Sequence, residues 1–231
     1  MSWQSFWNKN QSHGNAFPRE NLVKFLKVTH NFTNNKNILD LGFGSLSNLK
    51  MAKALGFKTF GIDVSSKLIK TNSIAKLKLF NPPTIPFKNN YFGIIYSCQA
   101  LYYNYDSMNV VIDQIYDKLA NGGKFFIDFR TKNHIWTKKY KLKIKPNIYK
   151  FKKNVPVKVL SGLCTYVPET KKNLRYLFKK FNNVRVDTLK TNFLGREEEY
   201  YIVTGYKKTN NIKNLKEIKN YFEDYQRKIK F

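Results

Sequence analysis

Ile38-Leu39-Asp40-Leu41-Gly42-Phe43-Gly44-Ser45 decides how this chain is read. A short apolar run, of the length of a buried strand, ends in Gly-x-Gly. Behind it Leu46 to Leu55 has helical spacing, with Gly56 as its stop. Glycines at a strand-to-helix turn permit a tight bend and close approach of a ligand to the backbone. Taken alone, the pattern is also that of an ordinary strand–helix turn.

The sequence downstream repeats the alternation. Thr59–Ile62 reads as a second strand ending at Asp63, and Ser65–Ala75 as a second helix. Lys76–Phe80 reads as a third strand and Tyr91–Ser97, after a Pro-rich connection, as a fourth. A third helix over Ser107–Leu119 is closed by Asn121-Gly122-Gly123, and Lys124–Phe129 is a fifth strand. Strands alternating with helices of this length imply right-handed crossovers and a parallel sheet in an α/β domain. Asp63 ends the strand after the Gly-rich turn, where a carboxylate accepts both hydroxyls of a ribose. The third glycine of Gly-x-Gly-x-x-Gly is replaced by Ser47, and the turn has no basic residue for a pyrophosphate. A nucleoside cofactor without phosphates fits better than a dinucleotide.

The flanking sequence is less regular. Residues 1–30 read as an N-terminal cover, polar with Trp3, Phe6 and Trp7 interspersed, followed by a helix opened by Pro18. Residues 132–168 carry many Lys and Tyr without a clear period and read as a lid insertion. Residues 169–206 would complete the sheet with a helix over Lys171–Phe181 and strands Val184–Leu189 and Tyr200–Tyr206, joined by Lys190–Glu199. Residues 211–231 read as a charged helix. The 231 residues suit a single domain.

Composition excludes several classes. Aromatic residues make up 16% of the chain, too many for a disordered polymer, and Cys98 and Cys164 are the only cysteines, too few for a disulfide scaffold. No apolar run approaches the ~20 residues that span a bilayer, and the N-terminus lacks a signal-peptide core, so a cytoplasmic location is expected. The formal charge is +27, which invites an anionic partner such as nucleic acid. The excess is nearly all scattered Lys, accompanied by abundant Asn, Ile, Phe and Tyr. A codon bias explains that pattern more simply than a nucleic-acid footprint, which more often clusters Arg.

The order LDLGFGS, GIDVS, TIPFKNNYFGIIYS and LANGGKFFIDF resembles the class I S-adenosylmethionine-dependent methyltransferases across residues 37–130. The resemblance implies a Rossmann-like doubly wound sheet of seven strands with the last antiparallel. It also implies S-adenosyl-L-methionine as cofactor. Gly42 and Gly44 would let the backbone approach its methionine part. Asp40 would orient that loop and reach the amino group, directly or through water. Asp63 would take the ribose hydroxyls. Asn81, in place of the usual acidic residue, would meet the adenine amino group, with Pro82 against the ring. Ser97 follows the fourth strand, where the methionine side is cradled. Leu46 stands where many members have a third glycine.

A second likeness lies outside that core. Trp3–Trp7, His13-Gly14, Phe17-Pro18-Arg19-Glu20-Asn21, Phe129-Arg130-Thr131 and NVRVDTLKTNFLGREEEYYIVTGYKK resemble bacterial methyltransferases of sugar and surface-polysaccharide pathways. This implies a small polar acceptor, a hydroxyl of a sugar or related metabolite. His13 and His134 are the candidate bases; a lone His is also often a plain surface group. Arg130 and Arg196 could hold an acidic or phosphorylated acceptor, and Tyr102 could line its pocket. For each, ordinary packing or a surface ion pair is the competing reading. No metal site is expected. An RNA or ribosomal-protein methyltransferase and a non-catalytic cofactor-binding protein are the alternative functions.

Overall fold

A computed structural model describes residues 17–69 and 74–209. His13, the tryptophans of the N-terminal cover and the charged segment 211–231 lie outside them. In chain order the elements are α1 (Glu20–His30), β1 (Asn37–Leu41), α2 (Ser47–Ala54), β2 (Lys58–Asp63), α3 (Ser66–Ile69), β3 (Lys76–Leu79), β4 (Phe92–Ser97), α4 (Met108–Lys118) and β5 (Leu119–Arg130). They continue with α5 (Ile135–Tyr140), β6 (Lys141–Lys145), β7 (Ile148–Phe151), β8 (Cys164–Tyr166), α6 (Lys171–Leu177), β9 (Asn182–Phe193) and β10 (Arg196–Tyr206).

Seven strands form one sheet in the order β3-β2-β1-β4-β5-β10-β9. The first five run parallel and β10 pairs antiparallel with β5. The expected doubly wound α/β sheet with its antiparallel last strand is therefore present. Alternate residues along each strand face opposite helical layers. Leu39, Leu41, Ile95, Ile127 and Phe129 pack with Val111, Ile112 and Ile115 of α4 and Phe178 beyond α6. Ile38, Ile94, Tyr96 and Phe126 pack with Leu22 and Leu26 of α1 and Ala52 of α2. Each such buried aliphatic or aromatic side chain contributes roughly 1.5–3 kcal/mol.

Two readings of the sequence are corrected. Lys190–Glu199, read as the join between two strands, is itself part of both, so the edge hairpin is longer than its apolar stretches. Lys190, Thr191 and Asn192 pair with Glu199, Glu198 and Glu197, and the hairpin closes through Leu194 and Gly195, both at positive φ (49° and 72°). The twist of such a two-residue turn matches that of the strands. The ribbon projects past the apolar layers, so its strands carry no hydrophobic alternation to betray them. Residues 132–168 are also more ordered than the pattern suggests. They form α5 and a three-stranded antiparallel sheet, β6-β7-β8. Tyr149, Phe151 and Thr165 are buried while β6 is largely exposed, and the Lys-rich edge strand hides the period. Phe151, Val155 and Leu160 form a small core with Tyr103 and Trp136, placing this unit over the turn that follows β4. Among the described residues no helix is long and apolar enough to cross a membrane.

Candidate functional site

The carboxyl ends of β1 and β2 meet at the Gly-rich turn. Gly42 has φ +86°, and its N–H donates to the Ile62 carbonyl at 2.8 Å. A Cβ at Gly42 would lie 2.2 Å from the Cβ of Ala100, so the turn after β1 abuts the turn after β4. Gly44 also has positive φ, and its N–H donates to Asp63 Oδ2 at 3.1 Å. Leu46, at the third-glycine position, has φ 65°. The left-handed conformation is thus kept where the glycine is not, at a cost of roughly 1–2 kcal/mol. Leu46 packs against Phe43 and Leu49.

Asp63 is buried, and its other oxygen accepts the Ser65 N–H at 3.0 Å. Burial pushes its carboxyl above the usual range, opposed by these backbone donors. A carboxylate has about four acceptor positions, more than the Ser65, Gly44 and Val64 N–H groups fill, so capacity remains for a vicinal diol. Asp40 is fully buried at the end of β1, and neither of its oxygens has a hydrogen-bond partner. The Tyr96 hydroxyl neighbours it outside regular hydrogen-bond geometry and is itself unpaired. Burial, reinforced by nearby Asp63, drives the Asp40 carboxyl well above its ordinary value. An orphaned carboxyl under the Gly-rich turn is a natural acceptor for an ammonium group. These residues fit S-adenosylmethionine, which offers a ribose diol and an amino group.

The other cofactor candidates are placed less uniformly. Phe80 N–H donates to the Asp63 carbonyl, so Asn81 and Pro82 follow β3 beside the end of β2, and both are exposed. Ser97 is fully buried: its hydroxyl donates to the Leu41 carbonyl at 2.8 Å and accepts the Leu101 N–H. It ties the turn after β4 to the end of β1.

The β5 end carries a second polar group of residues. The Gln99 N–H donates to Asp128 Oδ1 at 2.6 Å. Burial raises the Asp128 carboxyl, opposed first by Arg19 and then by that N–H and Arg130. Arg19, just before α1, stands 5.2 Å over the Tyr200 ring. Tyr200 is the hub. Its hydroxyl receives the Gln99 side-chain amide, lies 3.0 Å from His134 Nε2, and donates to Glu198 at 3.3 Å. Cys98 is set among Asp128, Asp40 and Arg19, and burial pushes its thiol well up, leaving it un-ionised.

His134 is fully buried and caps α5: its Nδ1 accepts the Trp136 N–H at 3.2 Å. The proton therefore sits on Nε2, facing Tyr200. Burial, with Arg130, Arg196 and Arg19 nearby, pushes its pKa down to about 3. Both ring nitrogens are engaged and the ring stays neutral. Arg130 is brought together with Tyr102, as Cζ lies 5.1 Å over that ring, and Nη1 donates to the Tyr103 hydroxyl at 2.7 Å. Arg196 is not part of that group. It pairs with Glu198 at 2.8 Å and lies over Trp136 at the rim, half exposed.

The sequence places Gln99 only within the stretch Ser97–Ala100 that follows the fourth strand, and it gives Asp128, Tyr200 and Arg19 no role. Only Asp128 carried a signal, being a charged residue inside the apolar run Phe125–Phe129.

A family model described as a methyltransferase domain matches residues 4–183. No curated protein matches the chain in sequence. Among solved structures, a S-adenosylmethionine-dependent methyltransferase of Methanosarcina mazei superposes with a TM-score of 0.61 at 16% identity, covering 79% of this chain and 98% of that one. Phosphoethanolamine N-methyltransferase 2 of Haemonchus contortus, solved with S-adenosyl-L-methionine, gives 0.62 at 15% identity over 90% of this chain, which spans 60% of that protein. The 1,6-didemethyltoxoflavin-N1-methyltransferase of Burkholderia thailandensis gives 0.57 at 12% identity, covering 82% and 78%.

Proposed function

The chain belongs to the methyltransferase-domain family and is an S-adenosylmethionine-dependent enzyme; within that family we propose that it methylates a small polar acceptor, a hydroxyl of a sugar or related metabolite. When bound, the cofactor supplies an activated methyl group on a sulfonium. The chain's task is to align the acceptor in line with the methyl–sulfur bond and exclude water.

Asp63 carries this reading. Its two oxygens are fixed by the Gly44 and Ser65 N–H groups, and acceptor capacity remains for the ribose. Gly42 and Gly44 bring bare backbone to the methionine part, and Asp40 takes the amino group. Asn81 and Pro82 flank the adenine. Ser97 serves indirectly, holding the turn after β4 against Leu41. The acceptor approaches from the β5 side, under the β6–β8 unit.

A second reading of the acceptor atom is an amine nitrogen. It is favoured by His134, whose engaged nitrogens and low pKa leave it no capacity to take a proton from a hydroxyl near neutral pH. An amine arriving neutral needs no such base.

The test is calorimetry of S-adenosylhomocysteine binding, followed by incubation with methyl-labelled cofactor and a polar-metabolite extract. Micromolar binding and a labelled small molecule are expected, and fragmentation of the product assigns the methyl to oxygen or nitrogen. No binding of the cofactor product would overturn the reading.

A further inference from the structure

We infer that the acceptor carries an oxyanion group, a carboxylate or a phosphate, which Arg130 receives with the Tyr102 hydroxyl at the carboxyl end of β5. This rests on the methyltransferase reading and deepens it.

Arg130 closes β5 and is only 7% exposed. A guanidinium cannot shed its charge in a protein, and a buried charge without a partner is costly. Yet among the described residues Arg130 makes no ion pair. Its hydrogen bond goes to a neutral hydroxyl, that of Tyr103, and its Nε is buried with no partner. Three rings, those of Tyr102, Tyr103 and Phe151, surround the cation at 5.1, 5.7 and 5.9 Å. They stabilise it in part and wall it off from water.

The Tyr102 hydroxyl is an independent sign. The side chain is fully buried, and its oxygen makes no regular hydrogen bond, the Tyr103 hydroxyl beside it lying outside that geometry. Two unmatched donors on neighbouring side chains call for one acceptor between them. The carboxylate nearest in sequence on the same strand face, Asp128, is held by the Gln99 N–H and faces Arg19 first, with a weaker attraction to Arg130. The surroundings add no further negative charge: His134 is neutral, and Glu198 is tied to Arg196 and Tyr200. A neutral acceptor would leave the cation with only that weaker attraction to Asp128. A planar guanidinium fork matches a carboxylate or phosphate in geometry as well as charge. The small core of the β6–β8 unit, with Phe151 against Arg130, covers the pair from outside and would seal the oxyanion in.

The test uses the full chain saturated with S-adenosylhomocysteine. Inorganic phosphate and acetate are titrated in separate arms at fixed ionic strength, and binding is read by calorimetry. The wild type should bind one probe at one site in the millimolar range. Preference for phosphate assigns a phosphate monoester, and preference for acetate a carboxylate. Arg130→Gln should weaken that binding at least tenfold, Arg130→Lys by less, and Tyr102→Phe several-fold, while Arg196→Gln stays within twofold. Equal binding in the wild type, Arg130→Gln and Tyr102→Phe would place the anion on the lysine-rich surface and overturn the inference. So would an Arg130→Gln protein that loses its S-adenosylhomocysteine affinity while folded, since Arg130 would then serve the cofactor. If Arg130→Gln does not fold, Tyr102→Phe, one oxygen smaller, decides alone. A wild type that binds no S-adenosylhomocysteine fails the methyltransferase reading instead, a result distinct from these.

Discussion

At the β1–β2 end of the sheet, the polar groups belong to one local unit. Asp63 bonds to residues 19 and 2 positions away, through backbone N–H groups that the strand–turn–helix geometry supplies. At the β5–β10 end, contacts span much longer separations: Gln99 to Tyr200 bridges 101 positions, His134 to Tyr200 66, and Gln99 to Asp128 29. The first region is held largely by bonds to backbone N–H groups close in sequence. The second exists only once the sheet has closed, and its members are side chains that chemistry can vary. A cofactor held against backbone and an acceptor held by side chains would each suit the region assigned to it here.

The largest effect expected from breaking the first region follows Asp63→Ala. Two charge-assisted hydrogen bonds to the ribose, each worth ~1.5–3 kcal/mol, are lost. S-adenosylhomocysteine affinity should fall about a hundredfold or more by calorimetry. Unchanged affinity would remove the cofactor from this end of the sheet.

Gly42→Ala comes next. Its Cβ would sit 2.2 Å from that of Ala100, at φ +86°. Denaturant unfolding should show a loss of about 2–4 kcal/mol. Adding Ala100→Gly should recover the part due to the clash and leave ~1 kcal/mol of conformational strain. Full recovery would mean the positive φ costs nothing there; no recovery would mean the two turns do not meet.

Tyr200→Phe strikes the second region. It removes the shared oxygen of Gln99, His134 and Glu198. Turnover should fall about tenfold or more while cofactor affinity stays within about threefold. A matched loss of both would join the two regions into one unit.

The same contrast explains what the sequence disclosed. LDLGFGS and GIDVS are contiguous, and the spacing of apolar residues and glycines follows from strand and helix geometry, so β1 through β5 and the places of Asp40, Gly42, Gly44 and Asp63 were legible. Tyr200 lies in a strand whose start, Arg196 to Glu199, is polar on both faces, and nothing nearby marks its hydroxyl as a hub. His134 looked like a base because of its position after β5. Its role as the cap of α5 depends on a main-chain N–H two residues on, which composition does not reveal. Arg196 and Arg130 looked equivalent, yet one is a rim residue paired with Glu198 and the other is buried among rings.

A smaller effect concerns protons. Asp40, driven well above its ordinary value by burial and then by Asp63, keeps its proton to higher pH than an exposed carboxyl does. An ammonium group beside it would ionise it. Cofactor binding should therefore release a proton, and affinity should rise with pH until the free-state pKa is passed, then level off. Calorimetry in buffers of different ionisation enthalpy measures the release. Asp40→Asn should abolish it, and a release that persists in that variant would assign the proton elsewhere.

The smallest effect serves as a control far from either region. Lys124, midway along β5, donates to the Phe32 carbonyl at 2.9 Å and to Thr33 Oγ1 at 3.3 Å. Burial, with Lys36 nearby, pushes its pKa down to about 8. Below that value the ammonium is charged in both folded and unfolded chains, and its desolvation burdens the fold in full. Between about 8 and the ordinary lysine value of 10.5 the folded chain gives up the proton first, so this group's contribution to stability rises with pH. Lys124→Met lacks that dependence. The melting temperature of the wild type relative to Lys124→Met should therefore climb by a few degrees from pH 7 to pH 10, while cofactor affinity in the two proteins stays equal. A difference that does not change with pH would show that Lys124 keeps its charge in the fold. A change in cofactor affinity would extend the coupling across the whole length of the sheet, and the two ends of its carboxyl edge could no longer be treated apart from the core beneath them.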